Sequence, residues 1–454
     1  GNRDFVGLDF RWVQGPDMGE LKTPEELMVV ERREWGNFYG YLQGLRVEGK
    51  DLEVDGDPWQ VFQEKIDEST RIFEEIRHIE KDLIGSVNYQ MERIRLKERG
   101  YELEGELTTA VREQLDAERK TLQAEYESYT EKLSELYSRL NRVSFVAVLN
   151  TGKQVEIPMS RVVRAFRPNA MNPLQKVGFY FTKLWEFVSD DPREANTEGG
   201  IFPAIFGTVM MVMVMAVMVT PFGVVAAVYL REYAKQGFVT RLIRIAVNNL
   251  AGVPSVVYGV FGLGFFVYFL GGSIDKLFFP EALPAPTFGT PGLLWASLTL
   301  AILTVPVVIV ATEEGLSRVP RAIREGSLAL GATKAETLWR TVLPMTASAM
   351  MTGLILAVAR AAGEVAPLML VGVVKLAPSL PLDGNFPYLH MDRKFMHLGF
   401  HIYDVGFQSP NVEAARPLVY ATALLLVLII IILNLTAIRI RNRLREKYRA
   451  AEQH

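Results

Sequence analysis

Apolar residues gather into five long runs in the second half of the chain, roughly 203–230, 249–270, 293–311, 345–371 and 417–437. Each supplies the ~20 residues that a helix needs to cross about 30 Å of hydrocarbon, so five membrane-spanning helices are expected. The first half has other periods. Leu27 to Leu52 alternates β-favouring residues (Val29, Phe38, Tyr39, Tyr41, Leu45, Val47) with glycines and charges. Val143 to Ile157 has the pattern of a hairpin turning at Asn150-Thr151-Gly152, and the two stretches together predict one small β domain. Between them, Asp57 and Pro58 have the order of a helix start, and Phe62, Ile66, Phe73, Ile76, Leu83, Val87 and Ile94 recur at a/d spacing. A second run after Gly100 and Gly105 carries Val111, Leu115, Leu122, Tyr129, Leu133, Leu136 and Leu140 at the same spacing. This predicts an antiparallel coiled-coil hairpin over about 58–141, inserted in the β domain, whose charged faces read either as solvated surface or as a partner-binding rod. Met171 to Val188 is apolar on one side (Leu174, Val177, Phe181, Leu184, Trp185), which suits a helix over 171–188 lying on a membrane surface or packed on the β domain.

One polar stretch interrupts the apolar runs. Ala322 to Pro344 places Ile323, Leu328 and Leu330 at helical spacing, Gly331 where a left-handed residue would end a helix, and Thr333 with Glu336 at capping-box spacing. Two short helices joined at Gly331 are predicted. They read as an interfacial hairpin on lipid headgroups or as a docking element between spans.

Charge assigns sides. The chain carries a net charge of −3, yet from Ile201 onward it has 21 Lys/Arg against 14 Asp/Glu, so the first 200 residues are strongly acidic. Arg439, Arg441, Arg443, Arg445, Lys447 and Arg449 load the C-terminal tail, and Arg231, Lys235, Arg241 and Arg244 load the first inter-span loop. By the positive-inside bias both are cytoplasmic; five spans then put residues 1–200 outside the cell and 322–344 inside. An outside domain must be exported, and the chain starts at Gly1 with no apolar export segment before Phe202, so a first helix preceding residue 1, or a cleaved signal peptide, is expected. There is no cysteine, hence no disulfide framework.

Candidate chemistry is sparse. Arg360 and Glu364 are the opposite charges deep in an apolar run, one helical turn apart. Arg360 would lie about 22 Å along its span at 1.5 Å per residue, toward the outer half. Charges there face protein or water, as a self-neutralising pair or as part of an anion pathway. Gly353, Ala357 and Ala361 make a small-residue ridge for close helix approach, and Pro367 would kink the exit of the span. Gly44 to Lys50 fits the phosphate-loop spacing, but Asp51 replaces the required Ser/Thr and no helix follows, so strand and turn are expected and no ATPase site. Met210, Met211, Met213, Met215 and Met218 read as packing surface, not a metal box, and His397 and His401 as solvent-facing loop residues. No cofactor, metal or nucleic-acid partner is indicated.

Five stretches carry a family resemblance. Glu325, Gly326, Ser327, Leu328, Ala329, Leu330 and Gly331 resemble the EAA loop of ABC importer permeases, departing from the pattern at Gly326. Asn196 to Gly200 (NTEGG), Ala227 to Tyr233 (AVYLREY), Gly252 to Tyr258 (GVPSVVY) and Ala359 to Leu368 (ARAAGEVAPL) resemble, in order, phosphate ABC transporter permeases of the PstA type, with Val365 where that family has threonine. The resemblance covers about the last 260 residues. It implies a mainly α, polytopic membrane helix bundle of the type I importer permease class, bearing an N-terminal extracytoplasmic α+β domain. It further implies a non-enzymatic subunit of a bacterial inner-membrane phosphate importer, surrounded by membrane lipid. The implied partners are a second phosphate permease subunit, an ABC ATPase dimer docked on the 322–344 loop and a periplasmic phosphate-binding protein, with Arg360 and Glu364 associated with transport. A sulfate or molybdate importer, and a membrane-anchored coiled-coil sensor or scaffold, are the alternative readings; one arginine suits any tetrahedral oxyanion.

Overall fold

The structure, a computed structural model, describes residues 24–53, 56–149, 151–193, 198–409 and 412–452. Two compact units result, Gly1–Gly200 and Ile201–His454.

In the first unit, β1 (Met28–Arg32), β2 (Phe38–Val47), β3 (Lys50–Asp51), β4 (Val143–Val148), β5 (Gln154–Pro158) and β6 (Val162–Phe166) form an antiparallel sheet in the order β5-β4-β2-β1-β6, with β3 folded back on β2. Alternation puts Met28, Val30, Phe38, Leu45, Phe145 and Ile157 on one buried face. The phosphate-loop-like stretch is, as expected, strand and turn, Glu48 and Gly49 having positive φ. Of the predicted hairpin turn, Asn150 lies outside the described residues.

Helix α1 (Pro58–His78) starts where Asp57 accepts from the Trp59 N–H at 3.0 Å, and covers the sheet with Phe62 and Ile66; the Phe62 and Phe145 rings are 4.9 Å apart. A π-helical stretch, Ile79–Ile84, continues it into α2 (Gly85–Glu104), and α3 (Thr109–Asn141) returns antiparallel. The seam is buried in two layers: Ile76 with Ile72 and Ile79 against Leu136 and Leu140, where the predicted Phe73 and Leu83 are only partly buried, then the predicted Val87 and Ile94 against Leu115 and Leu122. Gly100 lies inside α2; the reversal is at Gly105, whose φ of 74° is left-handed.

Helix α4 (Pro173–Ser189) opens with a capping box between Asn172 and Gln175. Its polar side is the one on the sheet: Lys183 bonds Glu31 at 2.5 Å and Glu186 at 2.8 Å, Arg164 pairs with Glu186, and the Phe179 ring meets that of Phe166 at 4.5 Å with a tilt of 45°. Leu174, Phe181 and Trp185 stay exposed. A two-residue ladder, β7 (Pro192–Arg193) with β8 (Glu198–Gly199), ends the unit; Asn196 and Thr197 of the NTEGG stretch lie outside the described residues.

The described residues of the second unit hold five helical stretches long and apolar enough to cross a membrane: Phe202–Tyr233, Ser255–Phe278, Leu293–Arg318, Lys334–Gly363 and Ala415–Arg443. Its elements are α5 (Phe202–Val228), α6 (Phe238–Leu250), α7 (Ser255–Phe261), α8 (Gly272–Phe278), α9 (Leu293–Arg318), α10 (Arg321–Ala329), α11 (Lys334–Thr337), α12 (Leu343–Gly363), α13 (Leu368–Val371), α14 (Leu398–Tyr403) and α15 (Val412–Glu452). Helix α9 is central, with α5 and α12 packed along it. The small-residue ridge serves this contact: a Cβ on Gly353 would stand 2.7 Å from that of Ala311. Met211 and Met215 fill the core while Met213 is exposed, so the methionines are packing and surface residues, as read from the sequence.

Three boundaries differ from expectation. The span predicted over 249–270 begins at Ser255, after Pro254. The span predicted over 345–371 ends at Gly363, because Pro367 cannot continue the ladder and restricts the residue before it; Pro367 thus ends the span early and does not kink it. The second short helix of the polar stretch is no separate element: α11 runs through the π turn Leu338–Val342 into α12.

Candidate functional site

The polar stretch between α9 and α12 is built from local rules. Gly331, at φ +89°, ends α10: its N–H reaches Leu328 O at 3.0 Å, and the Ala332 N–H reaches Ser327 O at 3.3 Å, which together close a Schellman motif. Thr333 then opens α11 in a capping box, accepting from the Glu336 N–H at 3.2 Å while its own N–H donates to Glu336 Oε2 at 2.8 Å. The hydroxyls of Ser327 and Thr337 meet at 2.9 Å and hold the arms together. No residue of α10 is completely buried; Glu325, Leu328 and Leu330 face outward, Leu330 being 91% exposed, and Trp339 beyond α11 is 76% exposed. A Cβ on Gly326 would meet nothing within 4 Å, so the departure from E-A-A has no steric cause.

Sequence reading missed the anchor of this element. Arg324 bonds the Glu232 carboxylate at 3.0 Å, and both side chains are largely buried. Arg324 also donates to Leu316 O at 2.7 Å and Val319 O at 2.8 Å, at the C-terminal end of α9. The AVYLREY and EAA-like stretches are thereby brought together. Ninety-two residues separate Glu232 and Arg324, and no local pattern announces the pair.

At the far end of α12, Arg360 lies in the last helical turn and Glu364 is its extended C-cap (φ −78°, ψ 134°). The Arg360 Nε to Glu364 Oε1 distance is 3.6 Å, an ion pair too long for a well-formed hydrogen bond. Glu364 has left the helix, so the pair meets across a helix end and not along one helix face. The GVPSVVY and ARAAGEVAPL stretches adjoin here, since a Cβ on Gly259 would stand 2.7 Å from Pro367 Cα. Val365 packs on Gly399, where a Cβ would come within 2.6 Å of the Val365 side chain.

That contact leads to the α14 region, where the reading of His397 and His401 as solvent-facing residues is overturned. His397 is fully buried and His401 nearly so. His397 Nδ1 accepts from the Gly399 N–H at 3.1 Å, which leaves the proton on Nε2. Burial holds both imidazoles down to about 4; at His401 the Asp404 charge works against this and Lys375 with it. Beside them Lys375 and Asp404 pair at 2.9 Å, with Asp404 buried. The described residues contain no cluster able to hold a metal ion.

Residues 219–449 match the family described as "Binding-protein-dependent transport system inner membrane component". The chain belongs to that family. It is a multi-pass permease component of the inner membrane. It is 35% identical to the phosphate transport system permease protein PstA of Mycobacterium leprae over 216 residues, 47% of this chain and 65% of that one. It is 30% identical to a probable phosphate transport system permease protein PstA of Methanocaldococcus jannaschii (42% and 63%) and 32% identical to the phosphate transport system permease protein PstC of Xylella fastidiosa (47% and 66%). The aligned stretch thus spans just under two thirds of each relative's length.

Proposed function

We propose that this chain is a permease subunit of an ATP-driven phosphate importer, forming the translocation path with a second permease. The observation that carries this reading is the similarity of the permease component to phosphate transport system permeases of three organisms. Arg360 and Glu364 lie on the pathway, with the loosely held guanidinium as the anion's cationic contact. The exposed Leu328, Leu330 and Trp339 dock an ABC ATPase dimer, which supplies the energy. A binding protein delivers phosphate from the periplasm, where residues 1–200 reside, and the C-terminal tail is cytoplasmic, as the basic tail and first inter-span loop indicate. Alternating access opens the path to either side as the ATPase closes and reopens. The test is uptake of labelled phosphate by cells expressing the complete system, challenged with excess sulfate or molybdate. Uptake that requires this chain and resists both competitors is expected; loss of uptake to either competitor would overturn phosphate as the substrate.

A further inference from the structure

The turn after the first span grips both arms of the candidate coupling element. The π turn Tyr229–Tyr233 extends α5, and there Glu232, 13% exposed at its side chain, accepts from Arg324 of α10 at 3.0 Å. The carbonyl of Glu232 accepts from Lys334 Nζ of α11, and that ammonium sits 4.7 Å from the centre of the Tyr233 ring. Two consecutive residues therefore hold α10 and α11 together, and through Arg324 the C-terminal end of α9 as well. The charge is needed at this point: Arg324 spends other donors on carbonyls, and a largely buried guanidinium requires an anion beside it.

The opposite end of α5 is fastened too. The Leu398 N–H donates to Thr208 Oγ1 at 3.0 Å, and Gly207 lies so close to the next segment that a Cβ would stand 2.1 Å from Met396 O. Gly399 in turn contacts Val365, the neighbour of Glu364. From Thr208 to Glu232 the helix covers about 36 Å at 1.5 Å per residue, enough to cross the hydrocarbon layer.

We propose that Glu232 is a positioning residue, a latch that fixes both coupling helices to the inner end of α5. Displacement of the coupling element is then delivered along α5 to the segment beside Arg360 and Glu364. This rests on the coupling role proposed for α10 and α11, and the experiment separates the two. The complete transporter is reconstituted in vesicles, and retained ATPase, ATP hydrolysis and phosphate moved per ATP are measured for the wild type, Glu232→Gln and Leu330→Asp. Leu330→Asp tests docking alone and should lose the ATPase; retention of the ATPase with normal transport would sink the coupling role itself. Glu232→Gln should keep the ATPase bound while phosphate moved per ATP falls roughly threefold or more, because glutamine keeps an acceptor oxygen for Arg324 but removes the charge that makes the bond strong. A wild-type ratio in Glu232→Gln, with Leu330→Asp losing the ATPase, would overturn the latch and leave the docking role standing. Because the chain has no cysteine, Glu232→Cys with Arg324→Cys supplies a second arm: closing the pair with a short bifunctional thiol linker should restore the ratio. A merely structural role would lower the yield of assembled complex and would not respond to the linker.

Discussion

At the scale of single residues, the Arg360–Glu364 pair separates two chemistries. A self-neutralising pair tolerates replacement of both members by apolar residues of similar volume, whereas a cation serving an anion path does not. Arg360→Met with Glu364→Leu should leave an assembled complex that has lost most phosphate uptake, and Arg360→Lys should restore part of it, since the planar two-pronged donor is gone. Uptake normalised to assembled complex decides this, and near-normal uptake by the double variant would make the charges structural. His397 and His401 give a pH prediction. Both are held neutral by burial at about 4, below the ordinary 6.5. Between those values the unfolded chain binds more protons than the folded one, so stability is lost as pH falls from 6.5 toward 4. The loss should be up to about 2 kcal/mol per histidine at pH 5. Thermal unfolding in detergent from neutral pH to pH 5 should show it, and His401→Leu should flatten the dependence; an unchanged slope would place His401 in contact with water.

At the scale of elements, the two glycines of the coupling stretch make opposite predictions. Gly331 holds φ +89°, a conformation that a β-branched residue strongly disfavours, so Gly331→Val should preserve membrane assembly while weakening ATPase retention and uptake. Gly326 lies in ordinary helix with open space at its Cβ, so Gly326→Ala should stabilise α10 by about 1 kcal/mol and leave uptake intact. Copurified ATPase and uptake rate check both; equal effects of the two substitutions would mean that the turn geometry is irrelevant to docking.

For the whole molecule, the testable statement is sidedness. Single cysteines at Ser128 and Gln453, in a chain that has none of its own, should react differently with an impermeant thiol reagent added outside intact cells. Ser128 is on the exposed side of α3 and should label; position 453 should not. Labelling at 453 alone would invert the topology.

Features that depend on local periodicity and local backbone chemistry are legible in the order of residues alone. Five apolar runs of sufficient length became five candidate spans, a/d spacing became the α1–α3 seam, and Thr333, Glu336 and Gly331 produced the cap and turn their types require. Each of these signals lies within a few residues of its effect. Which charges meet and which faces are covered depends on how distant segments pack. Glu232 finds Arg324 across ninety-two residues because two segments fold to one point. His397 and His401 are buried because α14 packs against α5 and α15, although their flanking residues read as loop. Helix α4 turns its ion pairs to the sheet and its apolar side outward, since Glu31 and Arg164 await it there. Amphipathicity states that a helix has two faces; only the neighbours determine which of them is turned inward.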